Sequence, residues 1–376
     1  MTKLATSRHR LTRSQRRRIG DDATLVTARN RRGEIADAGL GSDVAACRRR
    51  WLRVKRSGRY DGLRCCYGGV GRSVLFVAVL SLLVSSSAPS RSHAADDELI
   101  RLTSDGHFKQ RPSFSPDGQH VVFARHRGNT IFLFLRDVQS GKEERLTSHQ
   151  SPEYDAVFSP DGKELLFSFD KTSPNQGDIE VYQLKLADRK WTPLATTQGA
   201  LAHEESPCWS PDGKLFAFTS TRHGNQELYV ADIAGGEWRR LTEDPAIDAH
   251  PAWSPDGKTI AFATNRWGDL EIALINPDGS NLRRLTESRG LDDYPAWSPD
   301  GRFVAFLSKR DGNDEIYVQP LNGPARNVTR DPAIDTFPTW TADGRIGFVS
   351  NRDGGFEIYL LDCRKSLLKQ TPRGHE

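Results

Sequence analysis

Most of the chain alternates short apolar runs with turn residues, and residues 251–286 show one complete unit. Within it, Pro255 presets φ, Asp256 tolerates the third turn position and Gly257 accepts a positive φ, so these residues predict a tight hairpin turn. Apolar runs on either side have the length and alternation of short strands. Four such strands make one blade of a β-propeller. The predicted strands are residues 251–253, 259–264, 271–276 and 282–286.

Six copies of this unit follow one another. The tetrapeptide Ser-Pro-Asp-Gly (SPDG) occurs five times and the variant Thr-Ala-Asp-Gly once, at intervals of 44, 51, 44, 44 and 43 residues. A period of this size is typical of four-stranded blades, and an insertion after Asp170 explains the long interval. The predicted fold is all-β, a six-bladed β-propeller of four-stranded antiparallel blades. The six tetrapeptides begin at Ser115, Ser159, Ser210, Ser254, Ser298 and Thr341.

Two aromatic positions recur in every copy. Both are predicted to supply the core between neighbouring blades, because one blade cannot hide both faces of its own sheet. The first position precedes each tetrapeptide and holds Phe114, Phe158, Trp209, Trp253, Trp297 and Trp340. The second lies in the next strand and holds Phe123, Phe167, Phe218, Phe262, Phe306 and Phe348.

Closure of the ring can be predicted from the outer strands. Seven segments resemble outer strands, although six blades need only six, so the last blade can use residues 99–103 or residues 367–371. The first choice joins both ends of the chain in one sheet and removes an exposed edge. It is favoured because Arg101-Leu102-Thr103 matches the other blades better than Lys369-Gln370-Thr371.

The first 94 residues are predicted to be a leader. Residues 1–72 are basic and lack apolar periodicity, and we interpret them as lying upstream of the true translation start. Residues 73–94 contain the uncharged run SVLFVAVLSLLV and then small residues, the pattern of a signal peptide cleaved after Ala94. A retained signal anchor is the alternative, but the run is short for a membrane span. The mature chain, residues 95–376, is therefore expected to be periplasmic or secreted, with no stable membrane span.

Charge separates the leader from the propeller. Residues 1–94 carry 20 basic and 6 acidic residues, whereas the remainder carries 33 basic and 43 acidic residues, a net charge of −10. An acidic domain repels phosphates, which argues against nucleic acid as a partner and favours partners with basic segments. The mature chain keeps two cysteines, Cys208 and Cys363, and both are predicted to be small packed residues.

The order of motifs in each copy is Leu-Thr, a loop ending in Pro, Trp-Ser-Pro-Asp-Gly, a strand, Asn-Arg-x-Gly and Glu-Ile-Tyr. This order resembles the WD40-like Pd repeat of TolB-type β-propellers, from about residue 99 to residue 371. The resemblance implies an exported, non-catalytic scaffold that docks proteins or peptides of the cell envelope, including a peptidoglycan-associated lipoprotein. TolB proteins carry an α/β domain before the propeller. This sequence is expected to lack it, because the first repeat follows the leader directly.

The sequence contains no GxSxG elbow, HExxH motif, P-loop or CxxC pair. We therefore expect a monomer without catalytic residues, metal or cofactor. Alternatives to a protein-binding scaffold stay open. They are a hydrolase or lyase that uses ordinary side chains, the accessory propeller of a peptidase, and a carbohydrate-binding propeller.

Partner-binding residues are expected at the channel mouth, in the loops that enter the first strand of each blade. The position six residues before each tetrapeptide is acidic in five copies and Lys in one. It is interpreted either as an electronegative ring for a basic peptide or as a set of structural caps. These residues are Lys109, Glu153, Glu204, Asp248, Asp292 and Asp335.

Neighbouring positions that differ among the blades are stronger candidates for recognition, because a purely structural position has no need to vary between repeats. A mixed aromatic and acidic mouth suits the capture of a protein or peptide. Ser206 occupies one of these positions in the third copy. The other candidates are Arg111, Asp155, Glu205, His250, Asp293, Tyr294 and Phe337.

Overall fold

A computed structural model describes residues 98–171, 178–195 and 202–368, which form six four-stranded antiparallel sheets arranged as a β-propeller. The predicted fold class is confirmed. The predicted leader lies outside the described residues and remains a prediction. Among the described residues, the helix α1 (Arg364–Leu368) is short, and no helix is long and apolar enough to cross a membrane.

Each blade runs from an inner strand at the central channel to an outer strand. Blade 1 contains β2 (Lys109–Phe114), β3 (His120–Arg127), β4 (Thr130–Asp137) and β5 (Glu143–Arg145). Blade 2 contains β6 (Glu153–Phe158), β7 (Glu164–Asp170), β8 (Ile179–Lys185) and β9 (Trp191–Ala195). Blade 3 contains β10 (Glu204–Trp209), β11 (Leu215–Ser220), β12 (Glu227–Asp232) and β13 (Arg239–Arg240).

The remaining blades repeat the same arrangement. Blade 4 contains β14 (Asp248–Trp253), β15 (Ile260–Thr264), β16 (Glu271–Ile275) and β17 (Arg283–Arg284). Blade 5 contains β18 (Asp292–Trp297), β19 (Phe303–Ser308), β20 (Glu315–Pro320) and β21 (Arg326–Asn327). Blade 6 contains β22 (Asp335–Trp340), β23 (Ile346–Ser350), β24 (Glu357–Asp362) and, from the other end of the chain, β1 (Glu98–Arg101).

The inner strand of blade 4 begins three residues earlier than the sequence predicts. A bulge between Ala249 and Ala252 lets the pairing with β15 continue on both sides of Pro251. Proline has no N–H to donate, so it is tolerated where a bulge leaves a residue out of the ladder. The sequence therefore predicted a strand that begins at Pro251, whereas the strand begins at Asp248.

Six apolar clusters fill the spaces between neighbouring blades, one for each pair, including the pair formed by blades 6 and 1. The second aromatic position is fully buried in all six blades. The first position differs from the expectation, because only Phe114 is buried and its five equivalents are half-buried at the channel. Three of those indoles donate N–H bonds to the preceding blade: Trp209 to Val157, Trp297 to Ala252 and Trp340 to Ala296.

The N-terminal strand closes the ring, as predicted. β1 pairs antiparallel with β24, with Leu99 opposite Leu361. The hydroxyl of Thr103 donates to Glu357 at 2.5 Å and accepts the N–H of Ile358 at 2.9 Å. Of the rival segment, residues 367 and 368 belong to α1, and residues 369–371 lie outside the described residues.

Replacing Thr103 with Val tests this closure, because Val keeps the shape and removes the hydroxyl. The loss leaves the Ile358 N–H without this acceptor, so we expect unfolding to become easier by about 1–3 kcal/mol, measured by chemical denaturation. Thr286→Val is the matched control, since the Thr286 hydroxyl bonds Glu271 and the N–H of Ile272 inside blade 4. If Thr103→Val left the free energy of unfolding unchanged while Thr286→Val lowered it, closure by β1 would be contradicted.

Candidate functional site

The channel is built on a strained backbone position that recurs in every blade. Each inner strand contains a bulge, and at the bulge stands a non-glycine residue with positive φ, between 44° and 57°. Such a conformation costs about 1–3 kcal/mol per residue, and glycine is the usual solution where only the backbone shape matters. We name these six residues the channel floor: Arg111, Asp155, Ser206, His250, Tyr294 and Phe337.

Arg111 links the channel floor from one side of the channel to the other. Its Nη1 donates to the Ser206 hydroxyl of blade 3 at 2.9 Å, and its Nε lies 3.3 Å from Oδ1 of Asp155 in blade 2. The guanidinium carbon also lies 5.3 Å from the ring centre of Tyr294 in blade 5, within the range of a cation–π contact. One blade-1 side chain therefore contacts blades 2, 3 and 5.

Aromatic rings form the other arc of the channel floor. The rings of His250 and Tyr294 are stacked with centres 4.0 Å apart, and Phe337 meets Tyr294 edge-on at 4.8 Å. Oδ1 of Asp293 lies 2.6 Å from Nδ1 of His250, and it also accepts the backbone N–H of Tyr294. Burial, with a smaller effect of Asp293, raises the pKa of Tyr294, so its hydroxyl stays protonated and can donate.

A cavity of about 460 Å³ extends from the channel floor to the Ser-Pro positions of the tetrapeptide turns. We call this end of the channel the SPDG face and the opposite end, where the chain enters each inner strand, the loop face. Four floor residues line the cavity: Arg111, His250, Tyr294 and Phe337. The volume lies within the range of small-ligand sites in proteins.

The walls of this cavity depend on a position that the sequence analysis did not select. Each inner strand contributes one small or β-branched side chain there, which leaves space between the blades' first strands. Comparison of the six repeats could have identified this position, because no copy has a long side chain there. The residues are Ser113, Val157, Cys208, Ala252, Ala296 and Thr339.

The six residues predicted as an electronegative ring begin the inner strands, and their side chains are buried. We name this set the strand-start ring. Each bonds within the protein, as the structural alternative in the sequence analysis supposed. Asp248 accepts two bonds from Arg266, Asp292 pairs with Arg310, and Glu204 accepts from the Ser220 hydroxyl at 2.7 Å. The full set is Lys109, Glu153, Glu204, Asp248, Asp292 and Asp335, none more than 1% exposed.

Lys109 replaces an acid because blade 1 lies at the ring closure. Its amine bonds Oε2 of Glu357 in blade 6 at 2.7 Å and the carbonyl of His107 at 3.0 Å, and it also pairs with Asp105. In blade 1, Arg125 stands opposite Lys109, where four other blades carry Ser or Thr. The bond from Lys109 to Glu357 joins blade 1 to blade 6.

Burial changes the ionisation of these carboxyl groups. It raises the pKa of Asp335 to about 6, although Arg352 nearby opposes the change with bonds of 2.8 and 2.9 Å to the two carboxylate oxygens. Burial also raises the pKa of Glu153, Asp248 and Asp292. A surface ring open to a partner would not show these shifts.

Glu205 lies next to the channel floor on the loop-face side. It accepts a bond from Gln226, and burial together with the charge of Asp155 raises its pKa. Burial likewise raises the pKa of Tyr154, the equivalent residue of blade 2. Asp155 belongs to the floor and Glu205 and Asp293 lie beside it, but none of the three carboxyl groups lines the cavity.

The pKa of Asp335 yields a stability test with a defined sign. Its pKa in the fold is about 6 against 3.8 ordinarily, so the native state holds the proton more tightly. The stabilisation is complete below about pH 4 and is lost as the pH rises through 6. Relative to Asp335→Asn, wild type should gain about 3 kcal/mol in unfolding free energy between pH 7.5 and pH 3.5.

The control for this titration is Asp278→Asn. Hydrogen bonds from Ser280 lower the pKa of Asp278 on an exposed turn, so its stabilisation is present above its ordinary pKa and disappears as the pH falls. Denaturation at several pH values gives the difference in unfolding free energy between wild type and each variant. As the pH falls, this difference should grow for Asp335→Asn and shrink for Asp278→Asn. Equal behaviour of both variants would contradict the burial of a protonated Asp335.

The described residues contain no group of three or more His, Cys, Asp or Glu side chains arranged to hold a metal ion. Fold and repeat together define a β-propeller of six blades, each built around an Asp-Gly turn. A family model described as "TolB beta propeller domain" matches residues 176–291 and 285–372. The chain belongs to this family.

Individual relatives agree with this assignment. The Tol-Pal system protein TolB of Anaeromyxobacter dehalogenans is 32% identical over 180 residues, which are 47% of this chain and 37% of that protein. The match thus spans little more than a third of the relative. The crystal structure of TolB from Acinetobacter baumannii is 26% identical, with a TM-score of 0.50 over 69% of this chain and 56% of that one.

The fold is also shared with an enzyme. The oligogalacturonate lyase of Vibrio parahaemolyticus covers 73% of this chain and 95% of its own with a TM-score of 0.51, but it is only 16% identical. At that identity the likeness concerns the fold alone.

Proposed function

We propose that the protein is an exported, non-catalytic scaffold that binds a protein or peptide of the cell envelope through its central channel. The channel floor is the observation that carries this proposal. Six non-glycine residues adopt a strained conformation there, and their side chains differ in every blade while the flanking tetrapeptides repeat. Strain that a glycine would relieve is a common property of functional sites.

Within this proposal the predicted site residues have two roles. The contacts proposed for a partner are five residues of the floor and two beside it. The five are Arg111, Asp155, His250, Tyr294 and Phe337, and the two are Glu205 and Asp293. The strand-start ring is buried, so we expect its six residues to hold the inner strands in place and not to touch the partner. Relatives named as Tol-Pal system proteins support an envelope partner, of which a peptidoglycan-associated lipoprotein is one candidate.

Affinity capture tests the proposal. The full-length chain is immobilised and exposed to an envelope extract, beside a triple variant carrying Glu205→Ala, Asp293→Ala and Tyr294→Ala. We expect the wild type to retain one or a few proteins and the variant to retain at least tenfold less, because truncating central contacts removes most of an interface's binding energy.

A second triple variant serves as the control, with two acids and one aromatic residue replaced by Ala at the periphery. Glu243 and Glu287 have side chains 85% and 82% exposed, and Trp267 is 40% exposed. Retention by this control together with loss by the channel variant supports the channel. Equal recovery from all three proteins contradicts it, and loss caused by free sugar would favour carbohydrate binding instead.

A further inference from the structure

The two sides of the channel floor carry different charges. Among the described residues that line the cavity on the SPDG face there is no Asp or Glu, and Arg111 is the one permanently charged side chain. Asp155 contacts Arg111 and Asp293 contacts His250, but neither carboxylate lines this cavity. The absence of acidic residues from the cavity lining contrasts with the net charge of −10 carried by residues 95–376.

Each basic side chain at the cavity contacts a carboxylate. Asp155 contacts Nε of Arg111, and Asp293 contacts Nδ1 of His250. The Arg111 bond to Ser206 uses one of the five N–H donors of the guanidinium. These contacts hold Arg111 and His250 in place, and both residues line the cavity together with Tyr294.

From this arrangement we infer that the SPDG-face cavity binds a carboxylate, presented by the C-terminal end of an extended peptide. A guanidinium fork and a hydroxyl match the two oxygens of a carboxylate. The small wall residues leave space between the inner strands that an extended peptide chain can enter. The inference rests on the proposed function, since it names the chemistry of the group that the channel receives.

Charge at this face favours an acid over a base, because Arg111 lines the cavity and no Asp or Glu does. Long-range repulsion by the domain's net charge is largely screened at physiological ionic strength, where the Debye length is about 8 Å. Short-range contacts at the floor therefore decide the preference.

The test compares two labelled peptides that differ in one group. A tetraglycine with an uncharged coumarin at its N-terminus is titrated with the full-length protein at physiological salt, once with a free C-terminal carboxylate and once as the C-terminal amide. We expect the carboxylate to bind at least tenfold more tightly, the factor that corresponds to one charge-assisted hydrogen bond. Equal affinities of the two peptides would overturn the inference.

Variants locate the preference. Arg111→Ser introduces the residue that blade 3 carries at the same position, and it should bring the two peptides to within about twofold of each other. Arg302→Ser removes the same charge from the half-exposed residue after a tetrapeptide on the same face, and it should keep the tenfold preference. A preference that survives Arg111→Ser, or disappears in Arg302→Ser, would also overturn the inference.

A further variant covers the case in which Arg111→Ser does not fold. Tyr294→Phe removes only the hydroxyl and should reduce the carboxylate preference about threefold, whereas no change would count against the site. The outcomes also separate this inference from the proposed function. Capture of an envelope protein with equal binding of acid and amide refutes only the carboxylate site, whereas a carboxylate preference with an empty capture refutes only the scaffold role.

Discussion

A four-stranded blade has two apolar faces, and each face must pack against another blade to leave water. This requirement governs the whole propeller. Six clusters, one between each pair of neighbours, bury the phenylalanine in the second strand of every blade. The sixth cluster exists only because the ring closes, and it joins residues near both ends of the described chain, such as Leu102 and Leu360. This cluster therefore depends on ring closure, in which β1 completes blade 6 and the Lys109–Glu357 ion pair joins blade 1 to blade 6.

Inter-blade packing also explains how the channel can hold strained residues. In blades 3, 5 and 6, an indole N–H bond and a buried carboxylate fix the two ends of the inner strand, so the bulge between them is held in place from both sides. The unfavourable φ at six positions is offset by this surrounding structure. As a result the floor side chains point across the channel from fixed backbones. Their differences in charge and shape, from Arg111 to Phe337, give the two faces of the channel different chemistry.

The repeat spacing and the turn residues were enough to predict the fold and its six blades, because Pro, Asp and Gly determine turn geometry. The strand that closes the ring was predicted from the match of Arg101-Leu102-Thr103 to the outer strands of the other blades. Contacts across the channel were beyond that reasoning. Arg111 and Ser206 are 95 residues apart in the chain, and only the ring brings them together. The burial of Asp248 could not be distinguished from exposure either, because its partner Arg266 belongs to a different motif.

Photo-crosslinking from inside the channel tests the central claim, that a partner binds there, most directly. A benzoylphenylalanine at position 337 keeps an aromatic ring at the channel floor, whereas the same group at position 267 reports on the exposed periphery. After irradiation in an envelope extract, the account predicts a crosslinked partner from position 337 and none from position 267. A partner captured only from position 267 would contradict binding through the channel.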